Sequence, residues 1–417
     1  MRVVYVNYSD LVGGAALGGY RLHRGLIQAG IDSTLLVAKK VSSDKTVMAA
    51  PRFVRLRISV AYLVVSALLV LRFGKGARGR SLSLFTTGIG RVINSLEPDV
   101  VQLHFTAKQL MGPRDFMVIR APVFWKAADI WPVAGTQHYP RAENDQVPLD
   151  AIGNSGFSDT VLDRVAIRNK RRVAESKRMT LVVPSRWLTR EINGSKGVRY
   201  SQVLRIPNGL QPGESLQISK DEARSKWGLP RDCKLLLIGA DRGGVNRRKG
   251  LDTILEAVGI LEQKKNPSDI MRLVVVGTDT LPDARVPPET IFIGAVRNQE
   301  AMFEIYRAVD LYIHGAVVDN FPNMVLESIR MGTPVAGFDA TGTREIVEDG
   351  ITGVLARSRD PRDLADQIGS LVFNDSRLRE MSERALEAGR SRFSLGRMVE
   401  SYLNAYRYIV GDSSGEI

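Results

Sequence analysis

Short apolar runs and longer amphipathic stretches take turns along the chain. "RVVYVNY" at 2–8 reads as a strand. A Gly-rich turn then leads into "ALGGYRLHRGLIQAG" at 16–30, whose apolar spacing and closing glycine predict a helix, and "STLLVA" at 33–38 predicts the next strand. Further strands are expected in "DVVQLHF", "PVFWKA", "MTLVVPS" and "QVLRIPNG". The alternation then begins again, with "KLLLIGA", "MRLVVVG", "TIFIGAV", "DLYIHGA" and "TPVAGFD" as strands between the helical patterns "GLDTILEAVGILEQ", "QEAMFEIYRAV" and "PNMVLESIRMG". Runs of β-branched residues imply sheets covered on both faces, hence parallel strands with helices on each side. The expected fold class is α/β, with two doubly wound, Rossmann-like domains facing across a cleft. The "PNG" turn at 207–209 separates a domain at 1–207 from one at 208–395. A last helix within 396–417 is expected to pack back toward the first domain, ahead of a frayed tail. Parallel sheets bind ligands beyond the carboxyl ends of their strands, so the site is expected in that cleft.

Length agrees with two domains, since 417 residues exceed what one hydrophobic core usually serves. With 44% hydrophobic and 25% charged residues, general disorder is excluded. The formal net charge of +13 is unevenly spread. From Ala50 to Arg91 there is no acidic residue, while Arg52, Arg55, Arg57, Arg72, Lys75, Arg78, Arg80 and Arg91 are all basic. Among them lies "ISVAYLVVSALLVL" at 58–71, shorter than the roughly 20 residues of a spanning helix. Two readings stay open for it: a core helix with solvated arginines, or a peripheral contact lying on an anionic membrane face. The second basic run, "RNKRRVAESKR" at 168–178, lacks the aromatic residues that base stacking needs, so it reads as a solvated helix face and no nucleic-acid partner is expected. Cys233 is the only cysteine, no Cys/His cluster has zinc-like spacing, and the N-terminus lacks the order of a signal peptide. A cytoplasmic location without a bound metal is expected.

Three strand-to-helix loops carry the candidate chemistry. In "SDLVGGAALGG", Gly13 and Gly14 let backbone approach a ligand at a helix start, although the spacing is not that of the dinucleotide fingerprint. In "GADRGGVNRRKGLDTIL", Arg247, Arg248 and Lys249 gather before a helix beginning near Leu251; such cations suit a pyrophosphate, and the G-K-[ST] of a Walker loop is absent. In "DNFPNMVLESIRMGTPVAGFD", Asp319 and Glu327 stand eight residues apart. Pro322 is expected in the first helical turn, which puts Asp319 just ahead of the helix and Glu327 about two turns in. Glu327 could accept two hydrogen bonds from the vicinal hydroxyls of a ribose. The plainer reading is an Asp placed for the helix dipole and a Glu on a wet face. Thr341, Gly342 and Thr343 add another amide-rich turn.

The order of these loops resembles the retaining glycosyltransferases of family 4, which have the GT-B architecture. The resemblance covers most of the chain and is strongest from Arg248 to Leu355. Asp319 and Glu327 correspond to that family's E-x7-E element, the first Glu shortened to Asp, and Lys249 with Gly250 to its K-G pair. In the first half, "GGAALGGYRLHRGL", "PDVVQLHF", "DIWPVAGTQHY", "VPSRWL" and "IPNGL" resemble a subgroup that builds bacterial surface polysaccharides. The resemblance implies a nucleoside-diphosphate sugar as donor substrate, no cofactor, and a glycan or lipid-linked glycan as acceptor. It implies that Glu327 binds the donor ribose, that Lys249 with an arginine binds the diphosphate, and that Asp319 with the backbone around Phe321, Asn323 and Met324 holds the donor sugar. Gly13 and Gly14 would lie against the phosphate or the reacting centre. Ala128 stands where many members carry a histidine, and Arg242, Arg247 and Arg248 are alternative partners for Lys249. A non-catalytic scaffold that only binds nucleotide sugar or glycan is the alternative function.

Overall fold

The structure, a computed structural model, describes residues 1–77, 79–139, 160–175, 179–211, 216–240, 247–296, 298–357 and 359–411. The chain divides into two compact units, one of Met1–Asn208 with Leu395–Ile417 and one of Gly209–Ser394.

The first unit runs β1 (Arg2–Ser9), α1 (Gly14–Gln28), β2 (Asp32–Lys39), β3 (Val47–Ala49), α2 (Arg52–Phe73), α3 (Ile89–Ser95), β4 (Val100–Leu103), α4 (Pro113–Met117), β5 (Val123–Lys126), α5 (Val161–Ala174), β6 (Met179–Val183), α6 (Arg186–Asn193) and β7 (Gln202–Arg205). The second runs α7 (Lys220–Lys226), β8 (Lys234–Gly239), α8 (Leu251–Lys264), β9 (Met271–Val276), β10 (Ile291–Gly294), α9 (Gln299–Ala308), β11 (Leu311–His314), α10 (Asn323–Arg330), β12 (Val335–Phe338), α11 (Thr343–Ile346), β13 (Gly353–Ala356), α12 (Pro361–Val372) and α13 (Asp375–Arg392). After it, α14 (Leu395–Val410) returns to the first unit.

The strands of the first unit form one sheet in the order β3-β2-β1-β4-β5-β6-β7, and those of the second one in the order β10-β9-β8-β11-β12-β13, with parallel pairing. Each order reverses once, between β1 and β4 in the first sheet and between β8 and β11 in the second. At such a reversal the flanking loops part and leave a crevice beyond the strand ends. The loops singled out in the sequence follow β1, β8 and β11.

Side-chain alternation explains why both faces are covered. In β8, Leu236 and Ile238 enter the core beneath α8 and α12, while Leu235 and Leu237 enter the one beneath α9 and α10. On the first sheet, α14 lies over Val3, Tyr5 and Phe124. It packs on α1 so closely that a Cβ at Gly25 would stand 2.6 Å from Val399. The buried Tyr406 hydroxyl of α14 donates to Gln102 Oε1 at 2.8 Å, and its ring meets Phe124 edge-on.

Two sequence expectations are corrected here. The apolar run at 58–71 belongs to a helix of 22 residues with one buried and one exposed stripe, so it is not a wholly buried core helix. The basic run at 168–178 is not simply a solvated face: Lys170 is buried and donates to the carbonyls of Trp131, Ala134 and Gly135, at 2.5, 2.9 and 2.6 Å. Residues 176–178 of that run lie outside the described residues.

Candidate functional site

Two glycines bring the basic loop of the second unit to the end of β11. Gly250 precedes α8 with φ +65°, and a Cβ there would lie 2.0 Å from the carbonyl oxygen of Gly315. Only glycine combines that backbone conformation with so close an approach. The short 3-10 turn Arg247–Lys249 is thereby held beside the loop that follows β11.

Lys249 Nζ lies 2.6 Å from Asp319 Oδ2, and Arg248 approaches the same oxygen at 3.4 Å while donating to the Val318 carbonyl at 2.6 Å. Burial works to raise the Asp319 carboxyl, but Lys249 and Arg248 outweigh it and hold the group well below the usual carboxylate range. The Arg247 side chain, Arg242 and Val245 lie outside the described residues.

The turn at 341–342 holds the Asp319 backbone. The Thr341 hydroxyl accepts from the Asp319 N–H at 3.1 Å and lies 2.9 Å from the Asp319 carbonyl oxygen. Gly342 N donates to that carbonyl at 2.9 Å. Thr341 sits at φ +39°, an uncommon conformation for a β-branched residue, and these bonds fix it there. A Cβ at Gly342 would lie 1.8 Å from the Asn320 carbonyl oxygen, so only glycine fits.

The helix after Asp319 differs in detail from the sequence expectation. It starts at Asn323, with Pro322 at the cap position, so Glu327 lies little more than one turn in. Pro322 at the cap position offers no side-chain bond to the first amides. Val325, Leu326 and Ile329 are fully buried, as their spacing requires. Glu327 is buried too, at 8% exposure, which overturns the wet-face reading. Its Oε2 accepts from the Tyr306 hydroxyl at 3.3 Å. The Phe321 ring enters the core edge-on to Phe393. Met324 covers the end of β8, where a Cβ at Gly239 would meet its sulfur at 2.7 Å.

Sequence reading missed the aromatic and imidazole groups between the two carboxylates. Tyr312 and His314 share one face of β11, and the Tyr312 hydroxyl is 3.2 Å from His314 Nδ1. Burial pushes the Tyr312 phenol well up, with Asp319 and then Glu327 adding to the rise, so both carboxylates act on one buried group. Burial, reinforced by Lys249 and Arg248 and opposed by Asp319, lowers His314 to about 3. Its buried Nε2 has no partner among the described residues. Two polar residues two apart, Tyr312 and His314, within the strand "LYIH" were the available signal.

The structure therefore brings together Lys249, Arg248, Asp319, Thr341 and Gly342, with Glu327 reached through Tyr306 and Tyr312. Gly13 and Gly14 belong to the other unit. Gly13, at φ +95°, is the cap residue ahead of α1 and brings no side chain to its first amides. The loop ahead of it is tied by Asp10, whose carboxylate accepts from the backbone of Leu11, Val41 and Ser42. His104 follows β4 at this reversal of strand order, with its Nδ1 2.6 Å from the Tyr5 hydroxyl; burial, then Lys126, lowers it to about 3. Ala128 leaves no imidazole at its own position, but His138 Nδ1 stands 2.7 Å from the neighbouring Asp129 Oδ2.

A cationic loop beside a carboxylate, a helix start and an amide-rich turn is an arrangement able to hold a diphosphate and hydroxyl-bearing rings. Comparison with known proteins agrees. Residues 233–374 match the family described as glycosyl transferases group 1. A D-inositol 3-phosphate glycosyltransferase of Geodermatophilus obscurus is 26% identical, covering 97% of this chain and 87% of that protein. Among solved structures, sucrose-phosphate synthase from Thermosynechococcus elongatus superposes with a TM-score of 0.70 at 14% identity, covering 99% of this chain and 100% of that one. HepE of Anabaena, in complex with UDP-glucose, gives 0.64 at 14% identity over 98% and 100% of the two chains. Residues 233–374 thus belong with the group 1 glycosyltransferases, an enzyme family, and the two parallel sheets have the GT-B architecture of the glycosyltransferases compared.

Proposed function

We propose that this enzyme moves a sugar from uridine diphosphate to a hydroxyl of a glycan or lipid-linked glycan, keeping the anomeric configuration, in polysaccharide assembly. The observation that carries the reading is the convergence of Lys249 and Arg248 on Asp319 beside the start of α10. The uridine diphosphate donor is supported by HepE, solved with UDP-glucose on the same fold.

The slow event in such a transfer is rupture of the bond between the anomeric carbon and the diphosphate oxygen. Charge grows on that oxygen, and fixed cations and amide dipoles lower the barrier because they need no reorganisation. Lys249 and Arg248 supply the cations, taking the role that a divalent metal has elsewhere. The first turn of α10 supplies amides toward the phosphates and the sugar, while the 341–342 turn spends its Gly342 amide on holding the Asp319 backbone in place. Asp319, with the backbone of Phe321, Asn323 and Met324, orients the hydroxyls of the transferred sugar. Glu327, steadied by Tyr306, takes the ribose hydroxyls.

The test is release of UDP from labelled UDP-sugars in the presence and absence of glycan acceptors, after a thermal-shift screen has picked the donor. Acceptor-dependent release is expected. Tight donor binding with no release under any acceptor would establish the scaffold role instead.

A further inference from the structure

Helix α2 of the first unit has two apolar faces, and among the described residues only one is packed against. Val54, Ile58, Ala61, Val65 and Leu69, spaced four, three, four and four apart, are buried, and Val65 and Leu69 pack against Leu82 and Ala166. On the other side, Phe53, Leu56, Val60, Leu63, Val64 and Leu71 are 57, 65, 53, 67, 44 and 84% exposed. At 3.6 residues per turn these six fall within an arc of about 100°, roughly opposite the buried stripe. Single exposed hydrophobics are ordinary on a soluble surface, but a continuous row along a 22-residue helix marks a contact surface.

Charge identifies the occupant. Arg52, Arg55 and Arg57 flank one end of the row, Arg72 and Lys75 the other, and no Asp or Glu occurs between Ala50 and Arg91. A second copy seated on this face would bring its own five cations against these with no carboxylate from either segment to pair them. A surface that is apolar within and anionic at its border satisfies both features, and an anionic lipid leaflet is such a surface.

Length alone would let Arg52–Ala77 cross a bilayer, with a mean hydropathy of 2.0 over its most apolar window. A spanning orientation would strip the buried stripe from Leu82 and Ala166, whereas lying flat keeps that packing and wets nothing apolar. We propose that α2 is an in-plane anchor, sinking the Leu56, Leu63 and Leu71 side beneath the headgroups of an anionic membrane while the flanking arginines meet lipid phosphates. The proposal rests on the first unit alone and is independent of the donor chemistry assigned to the second.

The experiment uses the full chain with vesicles of phosphatidylglycerol and phosphatidylcholine in equal parts, and of phosphatidylcholine alone. Cosedimentation is expected with the anionic vesicles, roughly tenfold or more tighter than with the neutral ones at low salt. Combining Leu56→Ser, Leu63→Ser and Leu71→Ser is expected to lower binding about tenfold or more without changing the melting temperature, since none of the three is buried. Arg55→Gln and Arg57→Gln are each expected to weaken it about fivefold. Failure of the native chain to bind anionic vesicles would overturn the proposal, as would undiminished binding by the triple variant. Retention in membranes after alkaline carbonate would replace it with a spanning helix. A dimer in sedimentation velocity that the triple variant dissolves would hand the face to a second copy.

Discussion

The ammonium of Lys249 and the carboxylate of Asp319 meet at 2.6 Å, two groups 70 residues apart joined at the end of the second sheet's central strands. Asp319 is almost wholly buried, so its charge persists only because Lys249 and Arg248 face it. An ammonium carries three protons and can donate to Asp319 and to a phosphate oxygen together. The pair thus holds the lysine in place before any donor arrives.

If Lys249 stabilises the departing diphosphate, its loss must show in turnover rather than in binding alone. Lys249→Ala is expected to lower kcat by about a hundredfold to a thousandfold, the range for removing one preorganised group from a developing anion. A chelator should leave the native rate unchanged, because the cations are side chains. UDP release with saturating acceptor measures both. Turnover of Lys249→Ala within a few-fold of the native enzyme would remove the residue from the mechanism.

Glu327 is assigned to the ribose, which does not change during the reaction. Glu327→Gln keeps an acceptor for the Tyr306 hydroxyl but removes the charge, so the fold should hold. Losing charged hydrogen bonds worth roughly 1.5–3 kcal/mol corresponds to an expected rise in donor KM of about 10- to 100-fold, with kcat near native. Steady-state kinetics over a donor series separates this from the lysine phenotype. A fall in kcat at unchanged KM would contradict the ribose role.

Gly250 offers a structural test of how the basic loop is held. Alanine there meets both a positive φ and the Gly315 carbonyl, and is expected to cost about 2–4 kcal/mol together with the alignment of Lys249. Gly30→Ala is the control, with φ +80° but nothing within 4 Å, and should cost only the conformational strain of about 1–2 kcal/mol. Denaturant melts of the two variants give the comparison. Equal losses would mean that the Gly250–Gly315 contact yields without cost.

Much of this was legible because each strand of a doubly wound sheet is an uninterrupted apolar run closed by a turn. The expected strands from "RVVYVNY" to "TPVAGFD" have counterparts in the two sheets. β3 and β13 were missed for opposite reasons: β3 has three residues, too few for a period, and β13 begins within "GITGVL", where glycines read as turn. At the site, Lys249 and Asp319 stood out by charge next to helix starts. His314 and Tyr312 did not, because their importance comes from burial, which one strand's sequence does not reveal. Glu327 seemed wet for the same reason: an eight-residue helix buried on most sides has no polar face to betray it. The double apolar character of α2 was likewise hidden, since a continuous apolar run does not say which of its sides the protein covers.

Burial of three imidazoles sets a pH dependence. His23 is lowered to about 4, chiefly by burial; His104 and His314, lowered to about 3, have the same leading cause. An unfolded histidine binds a proton near pH 6.5. Below that pH the unfolded chain therefore takes up protons that the folded chain refuses, and stability rises with pH wherever the unfolded state holds more of them. Their contribution is complete above about pH 6.5 and shrinks as the pH falls toward 4. Since pH 5 lies about 1.5 units below the unfolded value, each histidine costs roughly 2 kcal/mol at most there. Carboxylates such as Asp319 weaken the fold only in stronger acid, and Glu191, which burial raises to about 7, offsets one of the three histidines between pH 6.5 and 5, so the histidines still set the sign of the slope. Thermal melts from pH 7.5 to 5 should show a falling melting temperature, and His23→Asn, whose neighbours Ser33 and Thr46 can bond an amide, should flatten it. A melting temperature that stays level across this window would mean that the folded protein accepts these protons, and that the imidazoles are less enclosed than their packing indicates.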